Sequence, residues 1–203
     1  MGAVISWLAV AGVLCWTPAQ PSNREDWSGS AAAVFLTSDE RRAWKTLRAD
    51  DERERFKAEY WRRRDSNPQT PVNEFEALIL ARIEAADRQF AVAHTAGSRT
   101  QRGRVFVLLG PAAVERIVSG PLESAPRMEG SLVVLPRAAL DTREWHVWVY
   151  DRESHPDLMK MLGRRDLELS FIVAPGRADE LQSGGLLSRV RDTLASASVV
   201  LRQ

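Results

Sequence analysis

The stretch from Thr70 to Ala91, TPVNEFEALILARIEAADRQFA, constrains the chain more than any other. Phe75, Leu78, Ile79, Ile83, Ala86 and Phe90 recur at three- and four-residue intervals, which places them on one stripe of an α-helix. Thr70 suits the N-cap and Pro71 the first helical position, so the spacing predicts a helix running to about Ala91. Just upstream, Asp65-Ser66-Asn67-Pro68 ends another helix, because proline lacks a backbone donor and biases its predecessor away from helical angles. That helix starts at Asp50, carries Asp51, Glu52 and Glu54 at its positive end, and presents Phe56, Tyr60 and Trp61 as its apolar face. Arg62, Arg63 and Arg64 fall in its last turn, where cations favour the exposed carbonyls. WRRRDSNPQTPVNEF therefore reads as a helix end joined to a helix start, with Asn73 and Glu74 in the first turn of the second helix. Thr37-Ser38-Asp39-Glu40 is a capping box opening a shorter helix to about Leu47, with Ala43, Trp44 and Leu47 on one face.

Beyond Ala96-Gly97 the pattern changes. RVFVLL (104–109), closed by Gly110-Pro111, SLVVL (131–135), REWHVWVYD (143–151) and LELSFIVA (167–174) read as strands. Short helices are expected at 112–118 and 156–162, a Gly- and Pro-rich loop at 119–130, and a final helix from 186 to about 199 bearing Leu187, Val190 and Leu194. Helices followed by a small, mostly antiparallel sheet define an α+β fold class. The expected layout is a signal peptide at 1–19, a linker at 20–33, an α+β domain at 34–175 and a C-terminal helical extension at 176–203.

A hydrophobic content of 44% is enough for a real core, and a net charge of +1 gives no field that would recruit nucleic acid, which is not expected as a partner. The apolar run Ala3–Trp16 has the length of a signal-peptide core rather than of a membrane span. Small residues in Thr17-Pro18-Ala19 suggest cleavage after Ala19 and hence an exported, periplasmic or extracellular chain. The absence of a basic residue before the run leaves open an uncleaved N-terminal membrane anchor, a misplaced start or a buried N-terminal helix. Cys15, the single cysteine, follows Leu14 where lipidation requires a small residue, so neither disulfides nor thiol chemistry are expected in the mature chain.

Three segments, LTSDERRAWKTLRADDERERFKAEYWRRRDSNPQTPVNEFEALILARIEAADRQFA, GSRTQRGRVFVLLGPA and EWHVWVYDR, resemble the GWxTD-domain family, a poorly characterised group of bacterial proteins that generally carry export signals. The resemblance covers roughly residues 36 to 175. The naming motif aligns with Gly97-Ser98-Arg99-Thr100-Gln101, so its tryptophan and aspartate are missing here, while Gly110-Pro111 after the following segment is kept. The resemblance implies architecture and an envelope location, and no particular reaction or cofactor.

Candidate sites divide between functional and plain readings. Arg62, Arg63 and Arg64 suit a phosphate- or carboxylate-bearing partner, yet three consecutive helical residues span too wide an angle for one ligand, and one of them turned inward to Asp65 or Glu74 would fix the angle between helices. Arg99, Arg102 and Arg104, punctuated by Gly97 and Gly103, suit an anion-binding loop, although no phosphate-loop or dinucleotide fingerprint accompanies them. His94, His146 and His155 lack metal-ligand spacing, so no metal is expected. Ser98, His146 and Asp151 form a triad only on paper, without a nucleophile elbow. Asp151 and Glu153 are a weak acid/base pair because nothing in the sequence separates their pKa values. Strand alternation puts Trp148 and Tyr150 with His146 on one face and Trp145 with Val147 and Val149 on the other, giving either a central strand or an aromatic platform for a partner. The function expected is a non-enzymatic, protein- or polymer-binding module of the cell envelope; the alternative is an envelope hydrolase using Asp151, Glu153 or His146 on a glycan or peptide. A purely structural role for a degenerate family member is the third reading.

Overall fold

A computed structural model describes residues 26–119, 144–182 and 184–200. Among them are helices α1 (Ser38–Thr46), α2 (Asp50–Arg64), α3 (Glu74–Phe90), α4 (Gln101–Leu109), α5 (Pro156–Leu162) and α6 (Gly184–Val200). Strands β1 (Val114–Ser119), β2 (Glu144–Asp151), β3 (Asp166–Val173) and β4 (Glu180–Leu181) form one antiparallel sheet in the order β1-β2-β3-β4. The fold is α+β. Among the described residues no helix is long and apolar enough to cross a membrane. The expected signal peptide, Cys15, SLVVL and most of the 119–130 loop lie outside the described residues.

The sheet turns one face to the helices. His146, Trp148 and Tyr150 of β2 stand opposite Phe171, Leu169 and Leu167 of β3, and all six are buried. Phe90 of α3 meets the Trp148 ring at 5.5 Å, and the Tyr150 hydroxyl donates to the Gly110 carbonyl at 3.0 Å. The opposite face is wetter, with Trp145 and Val149 half-buried and an exposed Arg116–Glu168 ion pair. Trp148 and Tyr150 are thus core residues, which corrects their assignment to a binding platform.

Several local expectations shift by a few residues. The capping box at α1 forms as read, with the Thr37 hydroxyl accepting from Glu40 N–H at 3.2 Å and the Glu40 carboxylate accepting from Thr37 N–H at 2.9 Å. Helix α2 starts at Asp50 as read; Ala49 before it has no side-chain acceptor, so Glu52 alone closes that end by accepting from Arg48 and Ala49 N–H. Helix α3 starts three residues past Pro71, which corrects the capping role given to Thr70 and Pro71. The Thr70 hydroxyl is spent inside the turn on Asn67 and Glu74, and Asn73 caps instead, accepting from Glu76 N–H at 3.0 Å. The Asn73 amide also donates to the Trp61 carbonyl at 2.8 Å, so one side chain ties the end of α2 to the start of α3.

Two elements differ in kind. RVFVLL is helical, not a strand: Thr100 caps α4 by accepting from Gly103 N–H at 3.1 Å, and Val105, Val107, Leu108 and Leu109 are buried. The β-branched side chains gain more from packing than they lose in helix propensity. A Cβ on Gly97 would lie 1.9 Å from the Ala86 carbonyl oxygen, and one on Gly103 1.8 Å from that of Gly97, so α3, the single turn Gly97–Arg99 and α4 approach as closely as backbone allows. Gly110, with φ of 86°, ends α4 in a conformation that side chains disfavour. The helix expected at 112–118 is β1, whose approach to β2 begins with Ala113 N–H donating to the Val149 carbonyl.

The expected linker and extension both join the core. Two single 3-10 turns, Trp27–Gly29 and Ala31–Ala33, bring Trp27 within 5.1 Å of the Trp44 and Tyr60 rings and bury Ala33. At the other end Val190, Leu194 and Ala195 of α6 are buried, and β4 pairs with β3.

Candidate functional site

The three arginines at the end of α2 separate as helical geometry requires. Arg64 is fully buried and grips Glu40 with two hydrogen bonds, 2.7 and 3.1 Å, rather than Asp65 or Glu74. Its remaining donors reach the carbonyls of Phe35 and Tyr60 and the Ser198 hydroxyl, and its guanidinium lies 4.0 Å over the Tyr60 ring. All five N–H groups are therefore used inside the protein, and Arg64 has none left for a ligand. Burial alone would raise the Glu40 carboxyl, but hydrogen bonds from Arg64 and Thr37 outweigh it and leave the group below its ordinary value. Arg62 and Arg63 share the Glu59 carboxylate, whose pKa they lower to about 2. The cluster is a helix end closed on its own acids.

The sheet gathers the residues that catalysis would need and occupies them with one another. His146 sets Nδ1 2.9 Å from Glu115 and Nε2 3.3 Å from Glu144, so both ring nitrogens face carboxylates. Trp148 Nε1 donates to the same Glu115 oxygen at 2.9 Å. Arg102 turns to Asp179, a buried carboxylate that also accepts from the N–H groups of Gln101 and Arg102 at 2.8 and 3.0 Å and so sits on the positive end of α4. Asp151 accepts from Ser154 N–H at 2.8 Å, which holds its carboxyl below the usual range, while Glu153 points to solvent. His146 turns its ring nitrogens to Glu115 and Glu144 rather than to Ser98 and Asp151, so the paper triad is not assembled. His146, Asp151 and Asp179 are engaged by protein neighbours, and Glu153 is exposed. Among the described residues no three His, Cys, Asp or Glu side chains converge on a metal position.

One of the cavities the fold leaves open, of about 350 Å³, lies between the N-terminal 3-10 turns, α1, α4 and α6. Arg41, Arg99, Arg104 and Arg191 stand in its wall, and among the described residues no carboxylate does. Arg41 and Arg104 make no side-chain hydrogen bond or ion pair among the described residues, and Arg191 pairs with Asp192 at its outer edge. Burial, and next the like charge of Arg191, pull the Arg41 guanidinium below its ordinary range. Ser30 in the same wall keeps a buried hydroxyl with no hydrogen-bond partner among the described residues. Ala33, Val107, Leu108 and Leu187 supply apolar surface. Arg99 and Arg104 were visible in sequence as members of a basic cluster; Arg41 and Arg191 belong to elements more than 50 positions away and carry no local signal.

Compared with family models, curated proteins and solved structures, the chain finds no match in any of the three.

Proposed function

We propose that this chain is an exported, non-enzymatic binding module of GWxTD type that engages an acidic protein or polymer of the cell envelope through the arginine-lined cavity. The observation that carries the reading is the cavity itself: among the described residues four arginines, Arg41, Arg99, Arg104 and Arg191, line it and no acid does. Arginine is suited to this task because its planar fork recognises carboxylate and phosphate oxygens and stays charged even when partly desolvated. The two positions of the family motif that the chain keeps have structural roles here: Gly97 permits the close approach to α3, and Thr100 caps α4. The occupied state of His146, Asp151 and Asp179 favours binding over hydrolysis.

The test is a crosslinking pull-down from native envelope extract with the purified chain, against an Arg104→Glu/Arg191→Glu variant shown by circular dichroism to be folded and an Arg62→Glu control outside the cavity. The expected result is an acidic partner kept by the control and lost by the cavity variant. A partner retained by both, or none at all, would refute this site as the contact. Turnover of a glycan or peptide that is lost on His146→Ala with folding intact would restore the hydrolase.

A further inference from the structure

Resting on the binding reading above, we infer that the cavity takes a phosphate ester group, not a simple carboxylate. The first argument is charge. Arg41 and Arg191 are close enough to repel, although Asp192 and Glu40 act on Arg41 in the opposite sense, and Arg104 makes no ion pair among the described residues. A phosphate monoester brings close to two negative charges at neutral pH, whereas a carboxylate brings one. The second is geometry. The arginines come from α1, the Gly97–Arg99 turn, α4 and α6, so their donors arrive from several walls. A carboxylate is planar and is satisfied by one bidentate arginine; tetrahedral phosphate oxygens can accept from donors that diverge.

The third argument is the rest of the lining. Gly184 opens α6 at the cavity, and Gly184, Leu187, Ser188 and Arg191 share one face of that helix, which adds the favourable end of its dipole. The apolar patch of Ala33, Val107, Leu108 and Leu187 suits the carbon skeleton of a small polyol or sugar. The volume admits a head of that size and excludes a long polymer except by its end or by one repeat unit.

Calorimetric titration of the full chain at low ionic strength tests this with four probes: glycerol 3-phosphate, inorganic phosphate, succinate, and vesicles of phosphatidylglycerol set against phosphatidylcholine. Saturable binding of glycerol 3-phosphate is expected, weakened about tenfold or more by Arg104→Gln and by Arg191→Gln, each verified as folded, and unchanged by Arg62→Gln. Preference for the soluble monoester supports the inference, whereas equal or tighter binding of phosphatidylglycerol vesicles, whose headgroup phosphate is a diester with a single charge, would remove the charge argument and overturn it. Succinate binding as tightly as the phosphate ester, or phosphate binding indifferent to Arg104→Gln and Arg191→Gln, would overturn it. No binding of any phosphate probe would also overturn it, while leaving the pull-down to decide whether the cavity meets a protein acid instead.

Discussion

Replacing Arg64 by methionine should be among the most damaging single changes in this protein, and replacing Glu40 at the same time should return much of the loss. Arg64→Met keeps the length of the side chain but leaves the Glu40 carboxylate buried with Thr37 N–H and a long contact to Arg63 at 3.9 Å, and leaves the Phe35 carbonyl without its donor. Removing one partner of a buried pair costs roughly 3–5 kcal/mol, because an uncompensated charge is left behind. Glu40→Leu strands the cation in turn, although Phe35 and Tyr60 still accept from it. If each single change costs about 4 kcal/mol, the double variant should cost about 1 rather than about 8, since it strands neither charge. A domain has only about 5–15 kcal/mol in total, so the single variants should shift the urea midpoint far to the left when followed by circular dichroism. Acid separates the mechanisms further. In the wild type the Glu40 carboxyl lies below its ordinary value of 4.5, so its contribution is present above that pH and fades as pH falls through the lower folded value. In Arg64→Met burial acts without the guanidinium and raises the same carboxyl, so the gap between variant and wild type should narrow from pH 7 towards pH 4. A loss under about 1 kcal/mol for Arg64→Met, or singles that add in the double variant, would refute the argument.

The two tyrosines of the chain, Tyr60 and Tyr150, are both buried, and burial pushes both phenols well above 10; absorbance at 295 nm should therefore show no tyrosinate until the protein unfolds in alkali, and a reversible step near pH 10 in the folded state would contradict the packing. Stability should be intact below about pH 10 and fall above it, as the unfolded chain begins to ionise. Gly97→Ala should cost roughly 3 kcal/mol or more, since its Cβ meets backbone rather than a movable side chain, whereas Gly29→Ala, with nothing within 4 Å, should change the thermal midpoint little. The Glu59 carboxyl should titrate near 2 by NMR and move up in Arg62→Gln/Arg63→Gln, and an ordinary value in the wild type would mean that the shared carboxylate is not held in solution.

The sequence is legible where a signal is local and periodic. The stripe from Phe75 to Phe90 becomes α3 because its spacing matches one helical turn, and the Thr37–Glu40 box forms because both partners lie within four residues. The start of α3 was displaced by a contest that spacing cannot settle. Thr70-Pro71 and Asn73 are both capping signals, and the one that also reaches the Trp61 carbonyl prevails. The partner of Arg64 was not legible: Asp65 and Glu74 are near in sequence, but Glu40, 24 residues upstream, is the acid that folding places against it. The aromatic alternation of β2 was read correctly as two faces, yet only the packing of Phe90 on Trp148 decides which face is covered.

The misread helix α4 shows how one tertiary decision makes the site. Val105, Phe106, Val107 and Leu108 favour a strand by composition, and no residue between 100 and 109 argues strongly against one. Helix prevails because three contacts act at its first turn: the Thr100 cap, the carboxylate of Asp179 on two N–H groups, and the glycine contacts that admit α3. The cavity follows from that choice. On a helix Gln101, Arg104 and Leu108 fall at positions i, i+3 and i+7, one face, and that face lines the recess together with Val107, while Arg102 is rotated away to Asp179 and the Phe90 ring. On a strand Arg104 and Val107 would point to opposite sides, so the charge and the apolar patch that together define a ligand would never share a wall. Asp179 is therefore the residue through which the C-terminal segment sets the chemistry of the cavity, although it does not line it.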